Sequence, residues 1–216
     1  MTDYFGAEEF QRATDVSRET LERLKAFANL LIRRQSRLNL IAESTLPTLW
    51  ERHMLDSAQF AGLAPAAAHR WMDFGSGAGF PGLVIAILRS DEAGFEMHLT
   101  ERLAAKCAFL HDAIAATHAP CVVHQARIET MAPLDADVIT ARACAPLDVL
   151  LPWFVRHRAK DGMALFAKGR TAAEELTRVA ASWRLDVDQL PSRTSPASKI
   201  LRIRSAEWRH NGLNDC

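Results

Sequence analysis

The sequence predicts an α/β fold: a mostly parallel, seven-stranded sheet with helices on both faces and an N-terminal helical cap. Three observations carry this expectation. From Trp71 onward, short apolar runs alternate with stretches of helical spacing, the pattern of parallel strands joined by crossover helices. A glycine-rich stretch, Asp73-Phe74-Gly75-Ser76-Gly77-Ala78-Gly79-Phe80-Pro81-Gly82, links the first of those strands to the apolar run Leu83–Leu88. Two helical patterns, with no strand between them, come before it.

Taken in order, residues 1–16 form a loose or helical lead-in. From Ser17 to Leu38 apolar residues fall at Leu21, Leu24, Ala28, Leu31 and Leu38, with Phe27 and Ile32 beside them. That spacing is helical, and Ser17 suits the N-cap. Asn39-Leu40-Ile41-Ala42 breaks the pattern. A second helix is expected from Leu46 to Ala61, ended by Gly62 and Pro65. Residues 1–66 are thus assigned to the cap and 67–216 to the sheet domain, the two forming one globular unit. Strands are expected at 71–75, 95–101, 121–125, 136–141, 162–167, 184–190 and 199–204, and helices at 82–89, 103–117, 146–157 and 171–182. Only the Ser- and Pro-rich residues 191–198 separate the last two strands, so an antiparallel finish is expected.

The composition supports one well-filled domain. Of 216 residues, 49% are hydrophobic and 24% charged, which excludes a disordered chain. No run approaches the roughly 18 apolar residues of a membrane span. The N-terminus lacks a basic-then-apolar leader layout, so a cytoplasmic protein without membrane contact is expected. The four cysteines show no C-x-x-C spacing, so no metal site and no disulfide framework are expected. Net charge is zero but uneven. Residues 71–150 carry five basic and ten acidic side chains, residues 151–216 twelve basic and seven acidic. A basic final third can attract nucleic acid.

In an open parallel sheet, ligands bind at the carboxyl ends of the strands. The glycine loop stands at the first of these ends. Gly77-Ala78-Gly79-Phe80-Pro81-Gly82 fits the dinucleotide pattern G-x-G-x-x-G, a weak signal by itself. The frame Asp73-x-Gly75-x-Gly77-x-Gly79, an acid two residues before the first glycine, is common in enzymes that use S-adenosylmethionine (SAM). In that frame the first glycine directly follows the strand, which favours it, but the loop alone leaves both cofactors open. Glu101 ends the second strand, where a carboxylate accepts from ribose hydroxyls in either class. Ile128 and Glu129 follow the third strand and suit an adenine face and its amino edge. Arg142 ends the fourth; it needs a partner when buried and can grip a carboxylate or phosphate. Lys168 and Arg170 end the fifth. Cys144 has no base nearby in sequence and is expected to be an inert thiol.

With these residues in view, the chain closely resembles the RsmG (GidB) family, whose members methylate N7 of a guanine in small-subunit (16S) ribosomal RNA. The resemblance runs from about Asn39 to Arg204. It rests on Asn39-Leu40, Arg52-His53-Met54-Leu55-Asp56-Ser57, Asp73–Gly82, Lys106 with Phe109-Leu110, Arg142-Ala143 and Lys168-Gly169. It implies a SAM-dependent methyltransferase (Rossmann-like) fold, with SAM held by Gly75, Phe80, Ile128, Glu129 and Arg142, and with Gly77 and Glu101 as additions. It departs from the family at Arg34, where an aromatic is common, and at Cys107, where a second basic residue is common. The partner implied is 16S ribosomal RNA or the small ribosomal subunit, met by a monomer. Lys168 and Arg170 are expected to hold the RNA backbone, and His53, Asp56 and Ser57 to shape the pocket from the cap. Guanine N7 carries a free lone pair at neutral pH, so no catalytic general base is expected. Two other readings make different predictions. An NAD-dependent oxidoreductase would be stabilised by NAD, and a non-catalytic RNA-binding assembly factor would bind RNA without methyl transfer.

Overall fold

The structure, a computed structural model, describes residues 5–209. The lead-in forms helix α1 (Ala7–Thr14), and α2 (Arg18–Leu38) begins where its cap residue predicts. Ser17 Oγ accepts the Thr20 N–H at 3.1 Å, satisfying one of the free amides of the first turn. Leu21, Leu24, Phe27, Ala28 and Leu31 form its buried face. Gln35, also buried, fastens the exit: its Oε1 accepts from the Leu40 and Ile41 amides and its Nε2 donates to the Ile41 carbonyl.

The second expected helix is broken. A 3-10 turn (Glu43–Thr48) containing Pro47 leads into a wide π-helical turn (Trp50–Leu55), the short helix α3 (Asp56–Ala58) and another 3-10 turn (Ala61–Leu63). Pro47 sits in the first turn of the expected helix, where its missing N–H is tolerated, so the irregularity begins beyond it, at the π-helical turn. The wide turn sends Trp50, Met54 and Leu55 inward and leaves Arg52 exposed.

The sheet follows the expected elements. Its strands are β1 (Arg70–Phe74), β2 (Glu96–Glu101), β3 (Cys121–Gln125), β4 (Ala136–Arg142), β5 (Arg158–Lys168), β6 (Trp183–Pro191) and β7 (Lys199–Trp208). The helices between them are α4 (Gly82–Leu88), α5 (Ala104–Thr117), α6 (Leu147–His157) and α7 (Ala172–Val179). The strand order is β3-β2-β1-β4-β5-β7-β6. β1 to β5 pair in parallel, and β7 runs antiparallel to both β5 and β6. The order reverses beside β1, between β2 and β4, so the crevice opens at the carboxyl ends of β1 and β4. β5 begins at Arg158, earlier than expected, because α6 passes directly into it.

Alternate β1 side chains feed two cores. Trp71 joins a front cluster with Phe10 and Phe27 of the cap, the α4 run Leu83–Ile87, and Phe109. Met72 and Phe74 join a rear cluster with Leu150, Phe154, Phe166 and Leu201. The front cluster takes residues from both sides of the 66/67 boundary, such as Phe10 and Phe27 with Trp71 and Leu83.

Candidate functional site

The glycine loop is held from below by Asp73. Its fully buried carboxylate accepts from Thr140 Oγ1 at 2.7 Å and from the Gly82 amide at 3.3 Å. Burial pushes its pKa up to about 6, against those hydrogen bonds. Thr100 Oγ1 donates to the Asp73 carbonyl and accepts from the Gly75 amide. Asp73 is therefore a fastener beneath the loop. A Cβ on Gly82 would stand 2.7 Å from the Asp73 Cβ, so only glycine lets α4 start this close to β1. Gly75 has φ +64°, and a Cβ there would stand 2.6 Å from Cys144 Sγ.

Glu101 lies beside the loop. Its Oε2 accepts from the Gly77 amide at 3.2 Å, and its Oε1 from the Arg102 and Leu103 amides at 2.7 and 2.8 Å. Oε1 is saturated, while Oε2 keeps one acceptor position.

A cleft of about 690 Å³ opens between the loop, the cap and the β6–β7 connection. Arg142 crosses its floor. The guanidinium donates to the Arg52 carbonyl, to Asp56 Oδ2 and, at 2.9 Å, to His53 Nδ1. An arginine only donates, so His53 Nδ1 carries the lone pair and Nε2 the proton, facing Thr45 Oγ1 at 2.8 Å. Burial first, and the Arg142 charge second, lower the His53 pKa to about 4. Phe80 packs under both: the Arg142 guanidinium and the His53 ring each lie 5.0 Å from its ring centroid. Asp56 joins three parts of the chain. Besides Arg142, it accepts from Thr194 Oγ1 at 2.7 Å and Ser192 Oγ at 3.3 Å on the β6–β7 connection, and from Gln59. Burial pushes the Cys144 thiol up to about 11, so it is no nucleophile at neutral pH.

Of the residues expected at the site, Gly75, Gly77, Phe80, Arg142, His53, Asp56 and Lys168 line this cleft. Glu101, Ile128, Glu129, Ser57 and Arg170 do not. Ile128 is buried, its side chain in the rear core, and of the pair only Glu129 is exposed. Ser57 is fully buried, and its hydroxyl has no partner among the described residues. It underlies the pocket and does not shape its wall. The expectation that Lys168 holds the RNA backbone is corrected. Its ammonium is turned inward, donating to the Ala145 carbonyl at 2.7 Å and to Glu175 Oε2 at 2.8 Å, with the side chain 7% exposed. Arg170 is exposed in the turn after β5. The expectations missed three cations on the wall: Arg52, Lys106 and Lys199. Lys106 Nζ stands 4.0 Å from where a Gly77 Cβ would be. The block Arg52–Ser57 and the stretch beginning at Lys106 were the sequence signals for two of them. Among the described residues no group of His, Cys, Asp and Glu can hold a metal ion, and no helix is long and apolar enough to cross a membrane.

Solved structures share the fold. One is a SAM-dependent O-methyltransferase from Thermotoga maritima, with a TM-score of 0.58 at 12% identity, covering 85% of this chain and 73% of that one. Another is a precorrin-6y C5,15-methyltransferase from Geobacter metallireducens, with a TM-score of 0.53 at 12% identity, covering 77% of this chain and 92% of that one. Two relatives bear the name ribosomal RNA small subunit methyltransferase G. That of Paramagnetospirillum magneticum is 48% identical over 199 residues, 92% of this chain and 95% of the relative. That of Parvibaculum lavamentivorans is 46% identical over 200 residues, 92% and 88% of the two chains. The family profile described as GidB, rRNA small subunit methyltransferase G, matches residues 20–199, and the chain therefore belongs to that family.

Proposed function

We propose that this protein transfers a methyl group from SAM to N7 of a guanine in small-subunit ribosomal RNA. The observation that carries the reading is the cleft itself: a glycine cradle on one wall, cations and hydroxyls on the others, with His53, Asp56 and Glu175 each held by a neighbouring cation. Membership of the family sets aside the dinucleotide reading of the loop.

The residues present fit SAM. At Gly77 a Cβ would meet nothing closer than 3.7 Å, so the backbone there is open to the cleft, while Gly75 lets the loop lie close against Cys144. Glu101 Oε2 keeps an acceptor position for a ribose hydroxyl. The Gly75 and Gly77 backbone, the Phe80 main chain, Glu101, Ile128, Glu129 and Arg142 would hold the cofactor. The Phe80 ring is occupied by its stack with Arg142 and His53, so only its backbone is available. When bound, SAM supplies an electrophilic methyl group on a sulfonium. The protein's contribution is then placement, with the reacting atoms held at about 3–3.5 Å.

His53 supports a mechanism without proton abstraction. With a pKa near 4 it is neutral at working pH, and both its nitrogens are engaged. Asp56 is occupied by Arg142, Thr194, Ser192 and Gln59. These two residues hold the pocket's shape, and the Glu175 carboxylate on the same wall is held by Lys168, Thr171 and the Leu147 amide. Lys168 acts indirectly, fixing Ala145 and, through Glu175, the Leu147 amide at the start of α6. Arg52, Lys106, Lys199 and Arg170 hold the RNA phosphates. N7 faces the deep, narrow groove of A-form RNA, so the target guanine is unpaired or turned outward when it enters. The reading makes the enzyme a cytoplasmic monomer, one chain supplying a complete cleft. The test is to incubate it with SAM and small-subunit particles, then cleave the RNA with borohydride and aniline, which cut at N7-methylguanine. A single new cut is expected; methyl incorporation without a cut would move the reaction to another atom.

A further inference from the structure

The turn after β3 is the least supported part of the proposed cofactor site. β3 is an edge strand paired only with β2. The turn is a single 3-10 unit, Ile128–Thr130, whose own amide bonds are Thr130 N–H to Arg127 O at 3.1 Å and Met131 N–H to Ile128 O at 3.3 Å. Such a segment is locally soft unless something outside holds it. Two consecutive residues at the end of α6 do so. His157 Nε2 donates to the Ile128 carbonyl at 2.9 Å. Arg156 donates to the Met131 carbonyl twice, from Nη2 at 2.7 Å and Nε at 3.2 Å. Both carbonyls flank Glu129, so the turn is gripped at each end. The grip is anchored. His157 is fully buried, edge-on to Phe74 at 5.9 Å, and its Nδ1 has no partner among the described residues. α6 itself is seated by Leu147, Leu150, Leu151 and Phe154 in the rear core, and Glu175 takes its first amide.

We infer that Arg156 and His157 are positioning residues for the cofactor, setting the Ile128–Glu129 turn in the place from which it receives the adenine. This rests on the reading of Ile128 and Glu129 given above. The same helix follows directly on the Arg142–Pro146 segment, so one element governs both sides of the cofactor site. Neither side chain lines the cleft.

The test is SAM binding by calorimetry, with methyl-transfer kinetics alongside, on full-length Glu129→Ala, Arg156→Met, Arg156→Lys, His157→Leu and His157→Gln. Arg156 is exposed, so Arg156→Met keeps its aliphatic stem and the fold even if His157→Leu does not fold. Arg156→Met is expected to raise the Kd and KM for SAM about fivefold to tenfold, with kcat at saturating SAM and the KM for RNA within about twofold of the parent. Arg156→Lys and His157→Gln, which still donate, are expected to recover most of that loss. If Glu129→Ala weakens SAM binding and Arg156→Met does not, the positioning role is overturned while the cofactor reading stands. If Glu129→Ala leaves SAM binding unchanged, the reading of the turn fails and takes this inference with it. Equal loss in Arg156→Met and Arg156→Lys, or a fall in kcat with KM unchanged, would also overturn it.

Discussion

Gly75 concentrates the demands of the site in one residue. Its φ of +64° suits glycine, and a Cβ would collide with Cys144 Sγ at 2.6 Å. Gly75→Ala is therefore expected to weaken SAM binding by more than about tenfold in calorimetry, even where the protein stays folded. Two neighbouring titrating groups predict opposite responses to acid. His53 has a depressed pKa, about 4 against an unfolded value near 6.5, so its contribution is present above about pH 6.5 and is lost as pH falls toward 4. Asp73 has a raised pKa, about 6, so its contribution is greatest below its unfolded value near 3.9 and is lost as pH rises through 6. Measured as Tm between pH 4 and 6.5, Asp73→Asn is expected to make stability rise more steeply with pH than in the parent. His53→Gln is expected to make it rise less steeply or fall. The same sign of change in both variants would contradict these assignments.

At the scale of elements, the carboxylate of Asp56 joins the cap, the end of β4 and the β6–β7 connection. Its ion pair with Arg142 is largely enclosed, the side chains 17% and 18% exposed. Removing one partner of such a pair leaves a buried charge alone, so Asp56→Ala is expected to cost about 3 kcal/mol in denaturant unfolding. Amide exchange should quicken in residues 52–55 and 192–195 but not in β1. Little of this hub was legible in the sequence, because Asp56 lies 86 residues from Arg142, 136 from Ser192 and 138 from Thr194. The strands and α4 to α7 were legible to within a few residues, since hydrophobic period and glycine placement fix them locally. The π-helical turn at Trp50–Leu55 was not legible, because apolar spacing there suits a regular helix and Pro47, in the first turn of that pattern, does not forbid one. Lys168 shows the opposite difficulty. A cation at a strand end suggests a phosphate ligand, but Glu175 on the next helix turns it inward, and only packing reveals that.

For the whole molecule, zero net charge conceals a cleft rimmed by Arg52, Lys106 and Lys199. Each phosphate contact adds about one unit to the salt dependence of RNA binding. Lys106→Ala and Lys199→Ala are each expected to lower the slope of log affinity against log salt by about one, measured by filter binding. Lys168→Met is expected to lower stability and leave that slope unchanged; a reduced slope would restore Lys168 to the RNA surface. We propose that the enzyme catalyses by placement, with no residue taking a proton. The single-turnover rate of methyl transfer against pH tests it most directly. With His53 titrating near 4 and the cleft carboxylates Asp56 and Glu175 held by Arg142 and Lys168, the rate is predicted to be flat from about pH 6 to 8.5. A limb with a slope near one in that range, abolished by substituting a single cleft residue, would contradict it.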